Sequence, residues 1–147
     1  MQNIYKTKSI ILLLAIFAGL CLDINAQSMN ITITDIKNDK GNILLSFYTN
    51  KDQFPYKPYL NKFISKDVME NGIIKISYDD FELGEYAITL LDDENLDKDM
   101  NYRFFIPQEG YGFSNYVHTG LVPPKFSDCC FNIDYEDIEI KIKVQYW

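Results

Sequence analysis

The chain has 147 residues and a formal net charge of −7 at pH 7, from 21 acidic and 14 basic side chains. So acidic a protein is poorly suited to bind nucleic acid or an anionic membrane, because basic side chains provide most of the affinity for both. Hydrophobic residues make up 47% of the chain. A chain of this length can bury a packed core that needs no disulfide bridges to hold it together.

The first 26 residues have the pattern of a cleaved signal peptide. Lysines precede an apolar run over residues 10–22, and the small Ala26 offers a cleavage point. The run is too short for a membrane-spanning helix, and Leu20 stands where a lipoprotein needs a small residue before its cysteine. The pattern predicts export to the periplasm or the extracellular space without a lipid anchor. Residues 27–147 then form one mature domain that has no transmembrane segment.

Short β-patterned runs dominate the mature chain. The first two runs, residues 31–36 and 43–49, flank a turn-forming segment at residues 38–42, and this arrangement predicts a hairpin. Two further runs cover residues 72–78 and 85–91. The chain between the second and third runs differs from them in composition.

Residues 52–63 carry two prolines and several aromatic side chains, which predicts a connecting loop or a single helical turn. A short run at residues 125–133 leads to the clearest strand, residues 138–146, where apolar residues alternate with charged ones. This alternation predicts a half-buried antiparallel strand. The runs together predict an all-β fold, an antiparallel β-sandwich of immunoglobulin or prealbumin type with about seven strands.

Cys129 and Cys130 are adjacent, so they cannot form an ordinary loop-closing disulfide. Because neighbouring residues of a strand point to opposite faces, one thiol is expected in the core and the other outside it. A strained vicinal disulfide and intermolecular pairing are the alternatives. With no histidine nearby, the two thiols make a poor zinc site.

Several motifs resemble known secreted sandwiches. Residues 81–88, FELGEYAI, are similar to the opening of an inner strand in prealbumin-like domains such as the regulatory domains of carboxypeptidases. More of the chain resembles the bacterial family known as domain of unknown function 2141. The family motifs are a Gly-x-Tyr-Ala strand, an Asp-x-Asn loop, an Ile-Pro-x-Glu-Gly-Tyr-Gly-Phe-Ser-Asn stretch, a Pro-Pro-x-Phe motif and a last strand. They are found here at residues 84–87, 93–95, 106–115, 123–126 and 138–146.

That resemblance implies a secreted or periplasmic β-sandwich of unestablished activity. The chain departs from the family pattern in the acidic loop that follows residues 85–91. Asp92 stands where the family usually has a histidine, and Leu96 and Lys98 stand in place of loop glycines.

The acidic loop is the first candidate site. Its side-chain oxygens recur at alternate positions, which is how calcium loops deliver hard ligands to a cation that needs several of them. Lys98 and Phe104 stand where an EF-hand requires glycine and glutamate, so the loop is not an EF-hand. The alternative is a solvated acidic turn that binds no cation. The candidate calcium ligands are Asp92, Asp93, Asn95, Asp97, Asp99, Asn101 and Glu109.

The glycine-rich turn at residues 110–116 is the second candidate, since its glycines permit a sharp bend. Its aromatic rings could plug the end of the sandwich while the polar side chains bond the backbone. Alternatively, a sugar or a peptide could bind a platform made of Tyr111, Phe113, Ser114 and Asn115, extended by Tyr56, Tyr59, Tyr102 and Tyr116. The only histidine, His118, is predicted to be a surface or capping residue, because no nucleophile motif accompanies it.

These features favour a non-catalytic binding or structural module with a calcium ion in its acidic loop. Its partner would be a carbohydrate, a peptide or an envelope protein. One alternative is a small secreted hydrolase that uses the acidic loop and Glu109, for instance with Asp93 as the second carboxylate of a glycosidase pair. Another is an envelope assembly subunit that pairs through an exposed strand edge. A hydrolase should have a concave pocket with convergent catalytic groups.

Overall fold

The computed structural model describes residues 27–120 and 122–147; the predicted signal peptide lies outside these ranges. A short helix, α1, spans Phe126–Cys129, and a single 3-10 turn spans Lys66–Val68. The remaining elements within the described ranges are strands, so the predicted all-β class is confirmed. They are β1 Met29–Thr34, β2 Asn42–Tyr48, β3 Leu60–Ser65, β4 Ile74–Tyr78, β5 Gly84–Asp93, β6 Tyr102–Arg103, β7 Ile106–Pro107, β8 Gly110–Phe113, β9 Phe131–Ile133 and β10 Ile138–Lys143.

Two larger sheets share one hydrophobic core. The first has the strand order β10-β1-β4, and the second has the order β3-β2-β5-β8, with β9 also paired to β5. The strands β6 and β7 form a separate two-stranded hairpin. Both larger sheets contribute fully buried side chains to the core, as expected for a β-sandwich. Examples are Ile31, Ile33, Ile74 and Ile140 from the first sheet, and Ile43, Leu45, Phe47 and Ile88 from the second.

The predicted hairpin between the first two strands is wrong. β1 pairs with β10 and β4, whereas β2 pairs with β3 and β5. The turn around Gly41 therefore carries the chain from one sheet to the other. Turn-forming residues mark where the chain reverses, but they leave open whether the two flanking strands become neighbours.

The last strand has the predicted alternation but not the predicted direction. In β10, Ile140 and Ile142 are buried while Glu139 and Lys141 are exposed. However, β10 runs parallel to β1, with Met29 opposite Ile138. Alternation reports which face of a strand is buried and carries no information about the direction of its neighbour.

The segment predicted as a loop at residues 52–63 ends in a strand. β3 lies at the edge of the second sheet, and Ile64 is its only buried residue. With so few core-facing residues, an edge strand lacks the apolar alternation that marks the inner strands. The run at residues 125–133 divides into α1 and β9.

Cys129 ends α1 and Cys130 follows it. Cys129 is 1% exposed and Cys130 is half-buried, and both are free thiols. One thiol lies in the core as expected, but Cys130 is not fully outside, since it packs against the same hydrophobic cluster as Cys129. Burial raises the pKa of the Cys129 thiol to about 12, so it is a weak nucleophile. Across the described residues, none of the helices has the length and apolar character to cross a membrane.

Candidate functional site

The acidic loop closes on itself through hydrogen bonds that begin at Asp93, the last residue of β5. The Asp93 carboxylate accepts from the backbone N–H groups of Asp97 and Lys98, each at 3.1 Å. Asp93 is 1% exposed, so these bonds replace the water that a carboxylate otherwise needs. The first half of the loop is therefore folded around this one side chain.

Asp97 holds the second half of the loop in a similar way. It accepts from the backbone N–H of Asp99 at 3.0 Å, and from the side-chain amides of Asn95 and Asn101, each at 2.9 Å. The bond from Asp99 and then that from Asn101 lower the pKa of Asp97. These N–H donors stabilise the ionised form of Asp97.

Glu109 lies beside the loop and is 6% exposed. Its Oε2 accepts from the Asn101 backbone N–H at 3.4 Å, while its Oε1 is buried with no hydrogen-bond partner among the residues described. Burial, and to a smaller extent the charges of Asp97 and Asp93, raise the pKa of Glu109. A bound cation would offset the cost of burying the Glu109 carboxylate and its repulsion by Asp97 and Asp93.

Most of the predicted calcium ligands are thus connected. Hydrogen bonds link Asp93, Asn95, Asp97, Asn101 and Glu109, and the Asp99 backbone joins them. In the part of the chain that the structure describes, no group of at least three His, Cys, Asp or Glu side chains is placed to hold a metal ion. The calcium site therefore stays a prediction.

Asp92 differs from the other predicted ligands because it faces the opposite side of β5 from Asp93. It is fully buried, and its Oδ1 forms an ion pair with Nζ of Lys66, which is also buried. Its Oδ2 accepts from the hydroxyl of Tyr146 at 2.5 Å. We refer to Lys66 and Asp92 as the buried Lys–Asp pair.

Tyr146 and Lys66 are the residues of this site that sequence reasoning missed. The Tyr146 hydroxyl also accepts from the backbone N–H of Lys37 at 3.0 Å. Burial and the hydrogen bond to Asp92 raise the pKa of Tyr146. Lys66 sits in a polar segment with an aspartate beside it, which resembles any solvated turn, so no local signal marked it as a core residue.

An aromatic groove of about 270 Å³ lies beside the glycine-rich turn. Two of its lining residues are hydrogen-bonded to each other, since Trp147 Nε1 donates to the Tyr111 hydroxyl at 2.9 Å. No acidic side chain, lysine or arginine within the described ranges lines the groove. Its aromatic lining includes three of the tyrosines predicted for a ligand platform, and consists chiefly of Tyr56, Tyr102, Phe105, Tyr111, His118 and Trp147.

Of the four predicted platform residues, two line the groove and two form hydrogen bonds to the backbone. Tyr111 and Phe113 line the groove. Ser114 Oγ instead donates to the Cys129 carbonyl at 2.6 Å and accepts from the Ile88 N–H at 2.9 Å. Asn115 Oδ1 accepts from a strand backbone N–H of β10 at 2.9 Å. The two polar residues hold the turn in place and do not contact the groove, and Tyr59 and Tyr116 also lie outside its lining.

The predicted surface position of His118 is wrong, since the side chain is 8% exposed. Its ring packs among those of Tyr111, Phe113 and Tyr116, and its backbone is held by the side-chain amide of Gln145 at 2.7 and 2.8 Å. Aromatic residues of the same turn supply this apolar shelter. Nδ1 is buried and lacks a hydrogen-bond partner among the described residues.

A larger cleft of about 1110 Å³ lies between residues 49–56 and residues 122–130. Its lining mixes prolines with side chains of both charges, among them Lys51, Asp52, Glu85 and Lys125. The aromatic groove has the more uniform chemistry, which is typical of sites that hold a ligand by stacking. We therefore regard the groove, with the acidic loop at its edge, as the candidate site.

Comparison with protein families gives a match over residues 31–141 to a family described as an uncharacterized protein conserved in bacteria (DUF2141). Comparisons with curated proteins and with solved structures gave no match. The matched region runs from β1 into β10, and contains both the acidic loop and the glycine-rich turn. The resemblance read from the motifs is confirmed, and the chain belongs to the bacterial family DUF2141.

Proposed function

We propose that this protein is an exported, non-catalytic binding module that holds a carbohydrate chain in the aromatic groove. The observation that carries the proposal is the convergence of aromatic side chains from distant parts of the chain, from Tyr56 to Trp147. The C–H face of a sugar ring can stack on an aromatic face. Tyrosine hydroxyls can hydrogen-bond to sugar hydroxyls at the ring edge, while the indole N–H of Trp147 donates to Tyr111.

The exposure of these rings supports binding rather than packing. Phe105 is 96% exposed, Tyr56 83% and Trp147 61%. Large aromatic side chains left in water on one surface are typical of interaction sites. Stacking on a ligand would remove this apolar area from water, at roughly 25 cal/mol per Å².

The charge of the groove favours a neutral ligand. Its lining carries no acidic side chain, lysine or arginine within the described ranges, and the whole chain is acidic. Anionic polymers would therefore be repelled. A peptide bound as an added strand would need free backbone groups at a sheet edge, whereas the groove offers mainly side chains.

The same lining supports a non-catalytic role. Glu109 and Asp93, the carboxylates that a hydrolase would use, belong to the acidic loop and do not line the groove. Ser114, which a nucleophilic mechanism would pair with His118, is hydrogen-bonded to the Ile88 and Cys129 backbone. Among the described residues, the lining therefore offers no carboxylate pair, which most glycoside hydrolases use.

We expect Phe105→Ala and Trp147→Ala each to weaken carbohydrate binding about tenfold, or about 1.4 kcal/mol, because each removes a stacking surface. Isothermal titration with a panel of neutral oligosaccharides would measure this loss. Phe104→Ala is the matched control, since Phe104 is 84% exposed and does not line the groove. Binding to peptides but to no oligosaccharide would contradict the carbohydrate assignment, and an equal loss in the control would contradict the location.

The acidic loop is proposed to bind calcium and thereby fix one wall of the groove. Oε1 of Glu109 supports this role, because it is buried with no hydrogen-bond partner in the described part of the chain, and such an oxygen needs a hydrogen bond or a cation. The loop leads directly into Met100 and Tyr102, which line the groove. A cation among Asp93, Asp97 and Glu109 would therefore set the position of these two side chains.

Calcium at about 100 times its dissociation constant is expected to stabilise the protein by about 2.7 kcal/mol. For a domain of this size the melting temperature should rise by very roughly 10 °C. Thermal melts in chelator and across a calcium series would measure the shift. Glu109→Gln and the double variant Asp93→Ala with Asp97→Ala should both lose it, while magnesium serves as the control ion. A parent protein that melts at the same temperature in chelator and in calcium would contradict the calcium site.

A further inference from the structure

We propose that Lys66 and Asp92 join through an intramolecular amide bond, so that the buried Lys–Asp pair becomes a covalent cross-link. The bond would tie the 3-10 turn after β3 to the end of β5, two places that the sheet hydrogen bonds join only indirectly through β2. Neither residue lines the aromatic groove, and Asp92 faces the opposite side of β5 from the proposed calcium ligand Asp93.

The first observation is how completely the pair is enclosed. The side chains of Lys66 and Asp92 are 1% and 0% exposed. Apart from their contact with each other, Lys66 Nζ and Asp92 Oδ1 have no hydrogen-bond partners within residues 27–120 and 122–147. An ammonium group carries several N–H donors, and burying it against a single acceptor is unfavourable unless further bonds satisfy the rest.

The second observation is that the surroundings suit an amide better than two charges. An amide offers one N–H and one carbonyl oxygen and has no net charge. The Tyr146 hydroxyl already donates to Asp92 Oδ2 at 2.5 Å, the atom that would become the amide carbonyl oxygen. Condensation would therefore remove both charges, replace the three ammonium N–H donors with one amide N–H, and keep the hydrogen bond from Tyr146.

The framework holds the reacting groups in place. On β5, Asp92 lies between Ile43 of β2 and Gly110 of β8. A Cβ on Gly110 would lie 2.5 Å from Cε1 of Tyr146, so the glycine leaves room for the tyrosine ring to reach Asp92. Holding an amine against a carboxyl group in a dry site replaces a bimolecular encounter with an intramolecular one, which favours condensation.

The reaction needs no other reactant. A proton passes from the Lys66 ammonium to Asp92 Oδ1, leaving an amine and a carboxylic acid. The amine lone pair attacks Asp92 Cγ, and Tyr146 donates to the oxyanion that develops on Oδ2. A second proton moves from nitrogen to Oδ1, the Cγ–Oδ1 bond breaks, and one water molecule leaves. The product amide keeps one N–H and the Oδ2 carbonyl.

Intact mass spectrometry of the protein purified from cells that express the full chain tests this directly. With the N-terminus fixed by peptide mapping, the denatured protein should be lighter than its sequence by the mass of one water molecule. After trypsin digestion, Lys66 should be uncleaved and should appear in a branched peptide with Asp92. A full sequence mass, with Lys66 and Asp92 in separate linear peptides, would overturn the proposal.

Variants distinguish the Lys66–Asp92 amide from a loss of water elsewhere in the chain. Lys66→Arg keeps the positive charge but has no amine, so it should show the full mass. In Asp92→Asn the same attack should release ammonia, and the mass should fall by one ammonia molecule. Tyr146→Phe should show a mixture of linked and unlinked chains. Complete linkage in that variant would overturn the role of the Tyr146 hydroxyl in stabilising the oxyanion.

Discussion

Asp92→Ala is expected to lower the free energy of unfolding by about 3–5 kcal/mol, because it leaves a buried positive charge without a partner. Lys66 is 3% exposed and cannot reach water without moving the turn that carries it. The substitution also takes the acceptor from the Tyr146 hydroxyl, which donates to Asp92 in the parent protein. Urea denaturation, with the midpoint and the slope both measured, would give the loss.

An exposed ion pair is the matched control. Lys62 Nζ lies 3.3 Å from Asp80 Oδ2, and the Asp80 side chain is largely in solvent. Asp80→Ala should therefore lower the free energy of unfolding by at most about 1 kcal/mol. The double variant Lys66→Met with Asp92→Leu should recover much of the loss, since an apolar pair of similar size needs no hydrogen bonds. If Asp92→Ala were no more harmful than Asp80→Ala, the buried pair would contribute little, whether ionic or covalent.

Gly41→Ala is expected to cost roughly 3 kcal/mol, from backbone strain and overpacking together. Gly41 has a φ of +68°, and a Cβ there would lie 1.9 Å from the carbonyl oxygen of Asp93. The backbone at the end of β5 would have to move away, and the Asp93 carboxylate would move with it. We therefore expect both a lower melting temperature and a weaker response to calcium.

Gly41→Asn distinguishes the two causes. Asparagine adopts positive φ more readily than alanine does, but it has the same Cβ. If the contact with Asp93 dominates, the two variants should melt at similar temperatures, both below the parent protein. A clear recovery in Gly41→Asn would show that strain, and not the contact, makes glycine necessary.

Patterns within one segment predicted the burial of the main strands well. The alternation in β10 identified Ile140 and Ile142 as core residues, because a half-buried strand exposes every second side chain. The partner of a strand depends on residues far away in the chain. β10 pairs with β1 at the opposite end of the sequence, so neither its direction nor the false hairpin at Gly41 could be decided locally.

In the candidate site too, features within one segment are predictable, whereas contacts between distant segments are not. The spacing of the side-chain oxygens predicts the acidic loop, and the prediction includes Asp92 because the β-patterned run ends at residue 91. The strand in fact continues to Asp93, which turns Asp92 toward the core. Its partner Lys66 lies in a different element, and no periodicity connects the two. The sequence predicts a ligand platform around Tyr111 and Phe113 but not the contributions of Phe105 and Trp147, because the chain itself does not reveal which rings meet.

The parallel pairing of β1 with β10 determines how the protein responds to tension. Met29 lies opposite Ile138 and Thr34 opposite Lys143, so the chain enters this pair of strands at one end and leaves it at the other. A force that pulls the two ends of the chain apart slides one strand along the other and loads every bond of the ladder at once. An antiparallel pair pulled from one end would instead open bond by bond. The first and last strands therefore form a mechanical clamp, which resists stretching of the protein from its termini.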